Sequence, residues 1–291
     1  MVSIILPSRN EQFLPSTVRE LLKKAEGEIE VIAVLDGYWE HDLPNDHRVR
    51  IVHFGESKGM RACINAGVAI ARGEYVMKID AHCMVDKGFD VKLAKDCEDD
   101  WIVVPRRKRL DAENWCIQDC GKPDIDYMYL CYPDDPNDRG GAGLHAREWK
   151  EKNRDKELRK DKIVDLMSFQ GSCWFMKKSY FEFLDLMDEE NYGKFGSEAQ
   201  ELGLKAWLSG GRVVRNKKTW YAHLHKGKKY GRGYFLDKRQ MIKANEYTNK
   251  WIKNEAWDKQ TINFSEHIEH FMPMPEWDED KLNDFKKYDK K

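Results

Sequence analysis

Apolar positions along this chain fall into short blocks separated by polar turns, and the blocks alternate between two periods. Val2 to Leu6 is an apolar run of strand length broken by Ser3, stopped by Pro7 and followed by the turn Ser8-Arg9-Asn10-Glu11. Val18, Leu21 and Leu22 then recur at helical spacing behind Ser16, which is read as the helix cap. Ile29 to Leu35 predicts a second strand ending in Asp36-Gly37, and Val49 to Phe54 a short third one. Met60 to Ala71 predicts a helix whose small residues Ala62, Ala66, Gly67 and Ala69 permit close packing, and Gly73 to Cys83 a fourth strand. This β-α-β alternation predicts an α/β fold, a mostly parallel central sheet flanked by helices.

The fourth strand ends in an acid and an imidazole two residues apart, Asp80 and His82. Along an extended chain, side chains at i and i+2 share a face, so both can point at one ion while Ala81 faces away. An oxygen ligand with a nitrogen ligand suits Mn²⁺ or a similar divalent ion better than Ca²⁺, whose sites are built from oxygens. In a parallel sheet, ligands gather outside the carboxyl ends of the strands. Ser8 to Glu11, Asp36-Gly37, Lys58 to Arg61 and Asp80 to His82 all fall there. Neither G-x-G-x-x-G after the first strand nor G-x-x-x-x-G-K-[ST] occurs, which excludes a dinucleotide fingerprint and a P-loop.

Composition narrows the class further. The chain has 291 residues and a formal net charge of -1 from 50 basic and 51 acidic residues, which argues against global attraction to nucleic acid or a membrane. The first apolar run is too short for an anchor or signal segment, so the expectation is a soluble, cytoplasmic protein of a bacterium or a phage-infected cell. Seven cysteines, scattered and without a C-x-x-C pair, indicate neither a disulfide framework nor a structural zinc site. Arg106 to Arg109, with Trp115, Tyr127, Tyr129, Tyr132 and Trp149 near them in sequence, offer a solvated charged face or a basic acceptor surface able to hold an extended polymer. The last residues, D-F-K-K-Y-D-K-K, read as a frayed tail.

Several stretches together carry a family resemblance. S-I-I-L-P-S-R-N-E, E-I-E-V-I-A-V-L-D-G and the K-G-M-R-A-C block running to K-I-D-A-H-C resemble the nucleotide half of a GT-A glycosyltransferase of the family 2 type. The D-A-H-C ending is similar to the D-x-H motif of polypeptide N-acetylgalactosaminyltransferases. Gly143 to Trp149, Phe169 to Leu184 and Phe195 to Gly211 are similar to downstream segments of those enzymes, in the same order. Gln170-Gly171-Ser172 and Gly196-Ser197-Glu198-Ala199 depart from the family's A-G-G and G-G-E-N, which leaves the sugar open.

The resemblance implies a GT-A fold with a Rossmann-like nucleotide-sugar half at 1–100, an acceptor-binding and catalytic half at 101–235 and a helical extension at 236–291. It implies a UDP-sugar donor bordered by Pro7, Ser8, Arg9, Glu11, Asp36, Gly59, Arg61, Asp80, Gly171 and Lys226, with Asp36 reading the uracil ring and Arg61 helping to hold the diphosphate. The metal, Mn²⁺ or Mg²⁺, would be held by Asp80, His82 and His223, with His225 as runner-up. Glu198 would be the carboxylate at the sugar, alongside Arg61 among the catalytic residues. The stretch from Lys226 to Tyr234 reads as a lid or as a solvated loop. The implied activity is transfer of a sugar to an acceptor hydroxyl, with retention, on protein Ser/Thr, a glycan or a hydroxymethylated pyrimidine in DNA. The other reading is a nonenzymatic nucleotide-sugar or nucleic-acid binding protein on a degenerate GT-A fold.

Overall fold

The computed structural model describes residues 1–133, 144–231 and 238–291; Gly143 of the Gly143 to Trp149 segment and the Arg232 to Tyr234 part of the basic stretch lie outside them. In chain order the first elements are β1 (Val2–Ser8), α1 (Leu14–Lys24), β2 (Ile29–Asp36), β3 (Val49–Phe54), α2 (Met60–Ile70), β4 (Tyr75–Ile79) and β5 (Cys83–Val85). Then come α3 (Phe89–Lys95), β6 (Trp101–Asp111), β7 (Cys116–Ile117), β8 (Met128–Leu130), β9 (Ala146–Glu148), α4 (Lys150–Arg154), β10 (Ile163–Asp165) and β11 (Cys173–Lys177). The chain ends with α5 (Lys178–Phe183), α6 (Glu189–Tyr192), α7 (Glu198–Leu208), β12 (Arg212–His223), α8 (Gly227–Tyr230), α9 (Lys238–Ile252), α10 (Phe264–Phe271) and α11 (Glu279–Lys286).

One large sheet runs in the order β10-β12-β6-β11-β4-β1-β2-β3. Its amino-terminal half, β4-β1-β2-β3, is parallel as expected. Beyond it β11 runs antiparallel between β4 and β6, while β6 and β12 are parallel to each other, so the sheet as a whole is mixed. Both faces are covered. Val31, Ala33 and Leu35 of β2 join α1 residues Leu14, Val18 and Leu21 in one core, and Ile32 and Val34 join α2 residues Cys63, Ile64 and Val68 in the other. That two-sided burial is why β2 reads as an apolar run from Val31 to Leu35. Helix α2 lies so close to β1 that a Cβ on Gly67 would sit 2.6 Å from Ile5. Ala62 also faces inward, whereas Ala69 is exposed.

Three boundaries differ from the sequence pattern. β1 continues through Pro7 to Ser8, because the β1–β4 ladder ends at Ile5–Lys78 and a residue without an N–H costs nothing beyond it. α1 starts at Leu14 with Pro15 in its first turn, which places Ser16 inside the helix rather than at its cap. The strand expected through 73–83 breaks at Asp80, the chain bends at Ala81 and His82, and β5 turns off to pair with β12. The carboxyl-terminal residues are not frayed: Lys290 N donates to Asn263 Oδ1 at 2.9 Å, Ser265 donates to Asp289, and Phe285 is buried in the core that also contains Trp251, Phe264 and Trp277. All seven cysteines are free thiols. Among the described residues no helix is long and apolar enough to cross a membrane.

Candidate active site and metal centre

The site is built where β4 and β12 end and β5 begins. β5 pairs with β12 so that Cys83 stands opposite His223, and this pairing, rather than strand alternation alone, brings the distant imidazole beside His82. Among the described residues, Asp80, His82 and His223 form a cluster whose ligand atoms all lie within 4.8 Å of one another. His223 Nε2 is 3.1 Å from Asp80 Oδ2 and 3.1 Å from His82 Nε2. His225, two residues past the pair, is exposed and outside the cluster because β12 has ended.

The second layer fixes the tautomers. Glu11 Oε2 lies 3.0 Å from His82 Nδ1, and since a carboxylate accepts, Nδ1 donates and Nε2 turns a lone pair toward the cluster. This carboxylate–imidazole arrangement is the usual support of a metal-binding histidine. Burial raises Glu11, but the bonds from His82 and Lys226 outweigh it and hold the carboxyl below its ordinary value. Arg107 Nη2 lies 3.3 Å from His223 Nδ1, and a guanidinium only donates, so the ring proton of His223 sits on Nε2 and points into the cluster. Burial pushes His223 down to about 4 against the pull of Asp80, leaving the ring neutral near pH 7. Burial would raise Asp80 too, yet Lys78 and the two imidazoles keep it well below the carboxylate range. One carboxylate and two imidazoles, one of them backed by an outer acid, make a donor set that fits a borderline divalent cation.

Behind Asp80 stand two groups on the neighbouring strands. Lys78 of β4 donates to Asp80 Oδ1 at 2.7 Å, to the Gly171 carbonyl at 2.6 Å and to Glu198 Oε2 at 3.2 Å. Trp174 of β11 donates to the other oxygen, Glu198 Oε1, at 2.7 Å. Burial, with Asp80 nearby, raises the Glu198 carboxyl, and Lys78 and Trp174 work against that rise.

The remaining expected residues divide. Ser8 is buried and shares a 2.6 Å hydrogen bond with Tyr38, Arg9 approaches Asp36 at 3.8 Å, and Lys226 pairs with Glu11 at the mouth of the cluster, while Pro7 lies at the end of β1 between them. Asp36 is buried and accepts from Ser57 Oγ, Lys58 N and Gly59 N, so its carboxylate holds the turn that starts α2. Gly59 stands at the start of α2 with φ of 102° and its Cα packed on Lys194. Arg61 is the clear departure. It is fully buried, pairs with Glu201, donates to the Gly196 carbonyl at 2.8 Å and lies over the Tyr192 ring, because its position on α2 faces the core rather than the strand ends.

The basic run also resolves differently from a binding surface. Arg106 forms bonds of 2.8 and 3.1 Å with Asp126, Lys108 faces Asp124, Arg107 is buried against His223, and Arg109 donates to the Pro123 carbonyl. Tyr127, Tyr129 and Trp149 are core residues. Of the segment expected as a lid, Gly227 to Tyr230 forms α8, with Tyr230 against Phe13 and Lys229 paired to Glu113. Lys78, Arg107 and Trp174 were not foreseen. A lysine between Met77 and Ile79 in an otherwise apolar strand, two residues before Asp80, was the available signal.

The model of the family "Glycosyl transferase family 2" matches residues 3–184. The chain belongs to that family. The match takes in Lys78, Asp80 and His82, and leaves Glu198 and His223 beyond it. Among curated relatives, polypeptide N-acetylgalactosaminyltransferase 6 of Bos taurus is 27% identical over 178 residues, 57% of this chain and 26% of that protein. Glycosyltransferase GlyG of Streptococcus pneumoniae is 29% identical over 93 residues, 29% of this chain and 31% of that one. This family 2 chain thus spans about a quarter to a third of the relatives it matches. Of solved structures, GalNAc-T7 with UDP, GalNAc and Mn²⁺ aligns with a TM-score of 0.68 and 16% identity over 98% of this chain and 53% of that one. S. aureus TarS 1–349 with UDP-GlcNAc aligns at 0.55 and 13% identity over 89% and 68%. The fold is therefore the GT-A fold expected from the motifs.

Proposed function

We propose that this chain is a metal-dependent glycosyltransferase that moves a sugar from a UDP-sugar to an acceptor hydroxyl. The observation that carries the reading is the convergence of Asp80, His82 and His223 at the carboxyl edge of the sheet, with Glu198 behind them. The structural neighbours bound to UDP, UDP-GlcNAc and Mn²⁺ support a nucleotide-sugar donor and a divalent ion. When bound, the cation supplies charge neutralisation at the departing diphosphate, which weakens the bond to the anomeric carbon. Asp80, His82 and His223 would hold it, His223 through Nε2 once its ring proton moves to Nδ1 and the Arg107 guanidinium turns from that atom. Lys226, paired with Glu11 at the rim, is placed to meet phosphate oxygens. Retention of configuration is the outcome that the D-A-H-C and E-x-x-E-L-x-x-K-x-W motifs favour.

Protein Ser/Thr or a glycan hydroxyl fits the acceptor side better than a hydroxymethylated pyrimidine in DNA, because Asp124 and Asp126 already neutralise the basic run of β6. The test is UDP release from a panel of UDP-sugars with Mn²⁺, with and without each acceptor class. Asp80→Ala should lower the rate by at least about 100-fold, the share expected of a Lewis acid. An undiminished rate would remove the metal from the reaction. Transfer to hydroxymethylated DNA that falls steeply with salt would instead select nucleic acid as acceptor.

A further inference from the structure

Lys78 lies in the interior of the sheet, with Ile5 of β1 opposite it on one side and Trp174 of β11 on the other. An ammonium there is costly unless each of its N–H groups finds an acceptor. All three do, in Asp80 Oδ1, the Gly171 carbonyl and Glu198 Oε2, and the side chain is 1% exposed.

Three consequences follow for the site. Asp80 Oδ1 is taken, which leaves Oδ2 as the oxygen turned toward His223. Glu198 is held through both oxygens, and its Oε2 fills the space that a Cβ at position 171 would take, 2.5 Å away, which only a glycine leaves open. A full positive charge is also fixed beside the place where a divalent cation would sit, and like charges at that range repel appreciably in a half-buried site.

We propose that Lys78 is a positioning residue of the donor site: it confines Asp80 to ligation through one oxygen, ties Glu198 to that ligand, and keeps the cation weakly held until the donor diphosphate supplies further oxygens. The proposal rests on the metal-dependent reading above. In this arrangement Glu198 anchors Lys78 in the resting site, and the metal and the nucleotide bind best together.

Lys78→Met preserves length and removes the charge. Its affinity for Mn²⁺ without nucleotide, read from the electron paramagnetic resonance signal of the free ion, should tighten about tenfold. Its kcat for UDP release should fall while KM for the donor changes little. Because the single variant leaves two carboxylates without their shared cation, Lys78→Met/Glu198→Gln is made beside it, and its Mn²⁺ affinity should tighten as well. Unchanged or weaker Mn²⁺ binding by a folded variant overturns the role, since a lysine needed only for stability would lower the melting temperature and leave affinity alone. If neither variant folds, a crystal of the wild-type chain with Mn²⁺ and UDP decides: Asp80 ligating through Oδ2 alone supports the proposal, and two-oxygen ligation overturns it. A wild-type chain that does not bind Mn²⁺ overturns the metal reading and this one together, whereas wild-type binding with unaltered variants overturns only the part given to Lys78.

Discussion

Two clusters of charge are buried in this protein, and they differ in what they leave unfilled. Beneath α7, Glu201 pairs with Arg61, accepts from Lys205 at 2.9 Å and from Asp188 N at 3.0 Å, and is fully buried with both basic partners nearly so. At the strand ends, Asp80, His82 and His223 face one another with a single imidazole proton among them, and Asp80 is about a quarter exposed. The first cluster is closed to solvent: one carboxylate sits between two cations that also donate to the carbonyls of Gly196 and Asp185, and Arg61 Nε is left without a partner among the described residues. The second has more acceptors than donors at its centre and opens to solvent, which is the condition of a site waiting for a cation. Buried charge by itself therefore says little about function; acceptors left over at a centre open to solvent say more.

The sharpest way to break this contrast is at Arg61. Arg61→Met leaves Glu201 with less compensation and frees the Gly196 carbonyl, and removing one partner of a buried pair costs about 3–5 kcal/mol. Urea denaturation should show that loss while the folded fraction binds Mn²⁺ as the wild type does. A variant of normal stability with weakened UDP affinity would return Arg61 to the donor site, where the motif had placed it.

A smaller effect is expected at the outer layer of the open cluster. Glu11→Gln keeps the shape but weakens the acceptor that orients His82, and loss of such a partner lowers metal affinity by roughly 10–100-fold. Titration with Mn²⁺ measures it, and a urea curve run beside it reads the separate cost to the fold, since Glu11 is buried and paired with Lys226. Equal Mn²⁺ affinity in Glu11→Gln and wild type would mean that His82 is oriented by something other than this bond.

The parallel half of the fold was legible because β1 and β2 are buried on two faces and read as apolar from Ile4 to Leu6 and from Val31 to Leu35. The carboxyl half was not, since the insertion of β11 between β4 and β6 is a long-range choice that no local period encodes. Asp80, His82 and His223 could be named from motif and spacing, but the bend at Ala81 and the β5–β12 pairing that join them could not. Arg61 misled because a helix start offers one face to anions and another to the core, and sequence alone does not say which face a side chain takes. The tail misled in a similar way: D-F-K-K-Y-D-K-K is polar on average, yet Phe285 is buried and Asp289 and Lys290 bond to the capped start of α10 at Ser265 and Asn263.

The comparison extends to two buried histidines with opposite surroundings. His223 has Asp80, His82 and Arg107 about it and is pushed to about 4, while His267 on α10 has no hydrogen-bond partner for either nitrogen, packs against Trp207 and Phe271, and is pushed by burial to about 3. In the unfolded chain either ring takes a proton near its ordinary value of about 6.5. Below that pH the unfolded state binds the proton first, so the stability these neutral rings contribute is complete above about 6.5 and is lost as the pH falls toward the folded values. Each ring should contribute a slope of about 1.4 kcal/mol per pH unit in that window. His267→Phe, which keeps an aromatic ring of similar bulk between Trp207 and Phe271, removes one of the two slopes and should flatten stability between pH 6 and 5 by about that amount. Saturating Mn²⁺ separates the rings further, because a cation on His223 opposes its protonation and steepens the acid dependence, while the part lost with His267 should be the same with and without the ion. Urea midpoints at several pH values, with and without Mn²⁺, measure both; a His267→Phe curve parallel to the wild type would show that this ring already carries its proton in the folded core.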